Sequence, residues 1–154
     1  MKEIQYRSEN VCGTTCEPKI LVVDDNDFNS MTLSIMISNM TGNKPTEATN
    51  GVLAVSKYKT LYEKACGCKN RAFKLIFMDI QMPVMDGYEA TKQILAMCDN
   101  ELRKHKTIPG ESSFCNIVAL TSYTSKEVEE KCIKIGMKKV IPKPINAKQL
   151  QEVI

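Results

Sequence analysis

A chain of 154 residues is long enough for one domain with a substantial core and short for two. Apolar residues make up 43% of it, and 21 basic against 18 acidic side chains leave a net charge of only +3, spread in small groups, which gives no reason to expect a nucleic-acid partner. Seven cysteines form no repeated CxxC pair and no apolar run approaches the roughly 18 residues of a membrane span, so the chain reads as soluble, reduced and cytoplasmic, although a parent protein could be membrane-tethered.

Residues 1–18 are polar, end in Glu17-Pro18 and read as a flexible leader or linker, with the folded domain expected over 19–154. Ile20-Leu21-Val22-Val23 is an apolar run of strand length that ends in the acid pair Asp24-Asp25. Phe28, Met31, Ile35 and Met36 then recur at helical spacing, and Gly42 suits a helix C-terminus, which predicts a helix over Phe28 to Met40. Lys44 to Thr49 is a weak strand whose Pro45 assigns it to a sheet edge. Asn50-Gly51 turns the chain into a second helix, with Leu53, Ala54, Tyr58, Leu61 and Tyr62 on its apolar face as far as about Lys64, followed by a loop from Ala65 to Arg71.

Leu75-Ile76-Phe77-Met78 is the second strong strand, closed by Asp79 and followed by the turn signals Pro83 and Asp86-Gly87. A third helix starts at Tyr88 and runs through Thr91, Ile94, Leu95 and Cys98. The stretch from Asp99 to Asn116 extends it and then forms a long connection. Ile117-Val118-Ala119-Leu120 is a strand ending in Thr121-Ser122. Ser125 caps a helix that turns Val128, Cys132, Ile133 and Ile135 inward, with Gly136 after its end. Val140-Ile141 is the last strand, followed by Pro142-Lys143-Pro144; a cis bond before Pro144 is allowed by the sequence but not fixed by it. Asn146 caps a final helix built on Leu150, Val153 and Ile154.

Strand and helix alternate five times, which argues for a parallel sheet with helices on both faces. In such folds ligands bind beyond the C-terminal ends of the strands, and each strand here ends in a polar group. Asp24, Asp25 and Asp79 are then three carboxylates in one crevice with Thr121 and Lys143. A carboxylate attacks an anionic phosphoryl group only if the approach is neutralised. A divalent cation on the three acids would do this, and magnesium suits hard oxygen ligands best, with manganese as an alternative. Asp79 is the expected nucleophile, with the Lys143 ammonium and Thr121 hydroxyl on the phosphoryl oxygens.

The segments Val22-Val23-Asp24-Asp25-Asn26, Met78 to Gly87, Ala119-Leu120-Thr121 and Lys143-Pro144-Ile145 resemble those of response-regulator receiver domains, and Asp-Ile-Gln-Met-Pro with Tyr-Glu-Ala-Thr is similar to receivers fused to hybrid histidine kinases. The resemblance spans Lys19 to Ile154. It implies a flavodoxin-like (βα)5 fold of strand order 2-1-3-4-5 that is no turnover enzyme but promotes its own phosphorylation and dephosphorylation. Asp79 would accept a phosphoryl group from a partner phosphohistidine, the Gln81 carbonyl would complete the metal shell set by Asp24, Asp25 and Asp79, Thr121 would be the switch hydroxyl and Lys143 the clamp. The implied partners are a histidine kinase core and a histidine-phosphotransfer bundle, docking near Asp27, Phe28, Asn29 and Met31 on a monomer, and the chain reads as a piece of a larger kinase. Val140 stands where the family's switch places a ring, so relay of the phosphoryl group is expected ahead of an aromatic switch.

Competing readings are weaker. Cys66-Gly67-Cys68 with Cys12 and Cys16 lacks the spacing of common closed zinc sites, leaving free thiols as the preferred reading. His105, the only histidine, lies in a polar stretch without apolar periodicity. The methionines read as core or turn-packing residues, and Tyr123 either shades the acyl phosphate or lies exposed. An aspartyl-phosphate phosphatase needs a second acid two residues after its nucleophile, where this chain has Gln81. No phosphate-binding glycine motif follows the first strand. A receiver-like docking module that is never phosphorylated is the remaining alternative.

Overall fold

A computed structural model describes residues 19–63, 73–104 and 115–154. Five parallel strands, β1 (Lys19–Val23), β2 (Thr46–Ala48), β3 (Phe73–Asp79), β4 (Asn116–Thr121) and β5 (Lys139–Pro142), form one sheet in the order β2-β1-β3-β4-β5. The helices are α1 (Asp27–Thr41), α2 (Gly51–Glu63), α3 (Gly87–Lys104), α4 (Lys126–Ile135) and α5 (Ala147–Gln151). This is the flavodoxin-like architecture expected. The expected leader, the loop from Ala65 to Arg71, most of the connection before β4, His105 and Cys12, Cys16, Cys66 and Cys68 lie outside the described residues.

The central strands are apolar through their middles, with polar residues confined mainly to their ends, because both faces are covered. On one face Leu21, Val23, Ile76, Met78, Ile117 and Ala119 pack with Tyr58 of α2, Ile94 of α3 and Cys132 of α4. On the other, Val22, Phe77, Val118, Leu120 and Ile141 meet Leu33 and Ile37 of α1 and Leu150 of α5. Neighbours along each strand therefore serve opposite cores, as the two-residue period requires. The weak β2 lies at the edge, where a strand entered from Pro45 loses least. Cys98, Cys115 and Cys132 are buried free thiols.

Helix ends follow local chemistry. The Asn26 side chain accepts from the backbone N–H groups of Phe28 and Asn29 to start α1, and Gly42 ends it at φ 76°. Ser125 caps α4, Gly136 closes it at φ 114°, and Asn146 with Gln149 forms a reciprocal capping box on α5. The outcome for α1 differs from the sequence reading: the face buried is Ser30, Leu33, Ser34 and Ile37, while Phe28, Met31 and Ile35 are exposed. Apolar and small polar residues are interleaved on every side of this helix, and two serines lie on its buried stripe, so periodicity could not say which stripe meets the sheet. For the same reason Met31 and Met40 are surface rather than core residues, and Leu53, Ile133 and Ile154 are also exposed.

Candidate functional site

The sheet register brings the strand ends level. Val23 is opposite Met78, Asp79 opposite Leu120, and Thr121 opposite Pro142. Backbone bonds continue the alignment into the loops: the N–H of Asp24 donates to Ala48 O (3.2 Å), that of Ile80 to Leu120 O (3.1 Å) and that of Lys143 to Thr121 O (2.8 Å). The polar residue after each strand is thereby fixed at one edge.

Carboxylate oxygens of Asp24, Asp25 and Asp79 lie within 4.8 Å of one another. Lys143 Nζ reaches both buried acids, Asp79 Oδ2 at 3.0 Å and Asp24 Oδ2 at 3.2 Å. Asp24 Oδ1 also accepts from the Asn26 N–H (2.9 Å) and the Asn29 side-chain amide (3.4 Å), and Asp79 Oδ1 accepts from the Gln81 N–H (3.2 Å). Asp25 is exposed and Asp79 only 2% so. Burial pushes the Asp79 carboxyl up to about 6, with Lys143 opposing and Asp24 adding to the rise. Burial also disfavours charge on Lys143, but its hydrogen bonds and ion pairs with Asp79 and Asp24 outweigh that and hold its pKa above the ordinary lysine value.

Three carboxylates against one ammonium leave two uncompensated negative charges in this pocket. Hard oxygen donors with that deficit fit a divalent cation. Thr121 is buried beside them, but its hydroxyl is engaged locally: it donates to Tyr123 O (2.7 Å) and accepts from Tyr123 N (3.1 Å). Tyr123 is exposed and borders a cavity of about 360 Å³ with Gln81, Pro83, Asp86 and Tyr88. The Lys143-Pro144 bond is cis.

The β3–α3 loop is built around glycine. Gly87 N–H donates to Ile80 O (2.9 Å), and a Cβ at 87 would collide with the Asp79 carbonyl oxygen. The sequence marked Gly87 as a turn residue but not this close approach to Asp79. Asn29, expected among the docking residues, also turns its side-chain amide to the Asp24 carboxylate, a contact the sequence did not mark.

The response regulator receiver domain family matches residues 20–154. The chain belongs to that family. Probable histidine kinase 6 of Oryza sativa subsp. japonica is 35% identical over 159 residues, covering 99% of this chain and 15% of that protein. Hybrid signal transduction histidine kinase B of Dictyostelium discoideum is 36% identical over 86% of this chain and 6% of its own length. Among solved structures, a chain from the complex of the Saccharomyces cerevisiae histidine phosphotransfer signaling protein Ypd1 with the receiver domain of its downstream response regulator Ssk1 is 27% identical. Its TM-score is 0.69, over 89% of this chain and 86% of that one.

This receiver domain spans between 6% and 16% of the length of the curated relatives it matches. Receivers are phosphoacceptor modules of phosphorelay signalling rather than turnover enzymes, and they bind magnesium at an acidic pocket, which the aspartate cluster fits. Among the described residues no helix is long and apolar enough to cross a membrane.

Proposed function

We propose that Asp79 accepts a phosphoryl group from a phosphohistidine on a partner protein, within a relay that belongs to a larger histidine kinase. The observation that carries this reading is the convergence of Asp24, Asp25 and Lys143 on a nearly buried Asp79. In the reaction the donor P–N bond breaks as a P–O bond forms to an Asp79 oxygen, leaving a mixed anhydride and free imidazole. Asp24, Asp25, Asp79 and the Gln81 carbonyl would hold magnesium, or manganese, which supplies neutralisation of charge on the transferring group. Lys143 already lies on Asp79 Oδ2 and follows the phosphoryl oxygens as a point charge. Thr121 donates to another oxygen once its hydroxyl leaves Tyr123 O.

The donor approaches over α1, where Phe28 and Met31 are 70% and 54% exposed beside Asp27 and Asn29, on a receiver that is monomeric and works in the cytoplasm. An exposed apolar stripe on an otherwise well-packed helix fits a docking face. Residues 19–154 form the receiver and 1–18 a leader. The test is transfer from radiolabelled phospho-Ypd1, a phosphotransfer protein of a related complex. Label should move to the wild-type chain with magnesium, and not with chelator or in Asp79→Asn. Label appearing on Asp79→Asn would overturn the assignment.

A further inference from the structure

One short turn joins Thr121 to α4. The Thr121 hydroxyl is bonded on both sides to Tyr123, and two residues further on Ser125 caps the helix, its side chain accepting from the Val128 N–H (3.2 Å). A hydroxyl that leaves Tyr123 O therefore loosens the segment from which α4 starts. Whether the helix follows depends on what holds its inner face.

Tyr88, in the first turn of α3, lies against that face. The Lys131 ammonium stands 3.7 Å from the centre of its ring, its hydroxyl hydrogen-bonds the buried Cys132 thiol, and Val128 borders the same cavity. Residues 128, 131 and 132 are three and four positions apart, so they form one stripe along α4 and the ring lies across it. Burial raises both the Tyr88 phenol and the Cys132 thiol above their ordinary values, which keeps this pair uncharged at neutral pH. The far end of α4 is tied to the same helix: a Cβ at Gly136 would meet Leu95 Cδ1 of α3 at 2.8 Å. The two helices thus touch closely at both ends of α4.

Resting on the reading above in which Thr121 turns to the phosphoryl group, we infer that Tyr88 is a brace that holds α4 against α3 through that rearrangement, so that filling the acid pocket changes residues 121–125 and stops there. The aromatic ring is what the brace requires. Leucine at this place would keep apolar contact but offer neither a π face to Lys131 nor a donor to Cys132. A braced α4 lets the domain pass a phosphoryl group on while its outer surface stays as it was.

The test is amide hydrogen exchange of residues 130–135, whose N–H groups lie inside α4, with and without beryllium fluoride and magnesium. In wild type the two rates should agree within about twofold. In Tyr88→Leu the mimic should speed exchange by at least about fivefold over the same variant without it, the scale of one lost hydrogen bond or cation–π contact. Lys131→Met, at an exposed position that leaves the core intact, should show a rise of about threefold and takes the place of Tyr88→Leu if that variant unfolds. Loss of packing alone would speed exchange equally with and without the mimic; that result, or mimic-dependent exchange already present in wild type, overturns the inference. Failure of the Thr121 reading is separately visible, as wild-type amides of residues 121–125 that do not shift when the mimic is added.

Discussion

Two buried carboxylates share one ammonium around Asp79, and the cost of that imbalance sets how the site behaves without metal. A carboxyl raised to about 6 binds its proton more tightly in the folded chain than in the unfolded one, where it titrates near ~4. Its contribution therefore favours the fold at low pH, is lost as pH rises through that window, and is constant above it. The rise corresponds to about 3 kcal/mol of unfavourable charge burial at neutral pH. Asp79→Asn removes that charge, so in metal-free buffer at pH 7.5 it should stabilise the domain by about 1–2 kcal/mol in urea unfolding, and the gain should shrink towards pH 4.5. A destabilised Asp79→Asn would show that the Lys143 pair outweighs the burial. Lys143→Met removes the only ammonium that reaches Asp24 and Asp79 among the described residues, so metal-free stability should fall by up to about 3 kcal/mol, while calorimetry should find tighter magnesium binding because no ammonium competes. Weaker magnesium binding would contradict this. Asp24, Asp79, Thr121 and Lys143 were legible in the sequence because each ends or follows an apolar run. The close approach of Gly87 to the Asp79 carbonyl was not, since a tertiary contact leaves no mark in a stretch that otherwise reads as an ordinary turn.

At the scale of elements, the β3–α3 loop tolerates least change. Gly87→Ala sets a Cβ against the Asp79 carbonyl, so one or the other must move, and a loss of more than about 2 kcal/mol is expected together with slower labelling of Asp79. Wild-type stability in that variant would mean the loop yields freely. If Thr121 donates to the phosphoryl group as proposed, its turn must rearrange, because its hydroxyl proton is committed to Tyr123 O. With a beryllium fluoride mimic and magnesium, amide shifts should concentrate at residues 121–125 and stay small at Val140, which has no ring to rotate; large shifts spread over residues 123 to 141 would favour conformational output over relay. Turn and cap chemistry made Asn26, Gly42, Ser125, Gly136 and Asn146 readable in advance, since each acts through its own backbone neighbourhood. The buried stripe of α1 was not readable, because Phe28, Met31 and Ile35 compete with Leu33 and Ile37 and only the tertiary fold decides.

For the whole molecule, sheet order follows from alternation and the known handedness of parallel connections together with the family resemblance, and it is the register of β1, β3, β4 and β5 that converts scattered acids and a lysine into one site. A cation that binds the folded domain alone should raise its stability by about 2.7 kcal/mol at one hundred times its dissociation constant. The most direct measurement is incubation with magnesium and phosphoramidate, followed by intact mass and peptide mapping. One acid-labile phosphoryl group on the peptide containing Asp79 is expected, absent with chelator; a phosphoryl group on any other residue, or none with magnesium present, would contradict an acceptor built from Asp24, Asp25, Asp79 and Lys143.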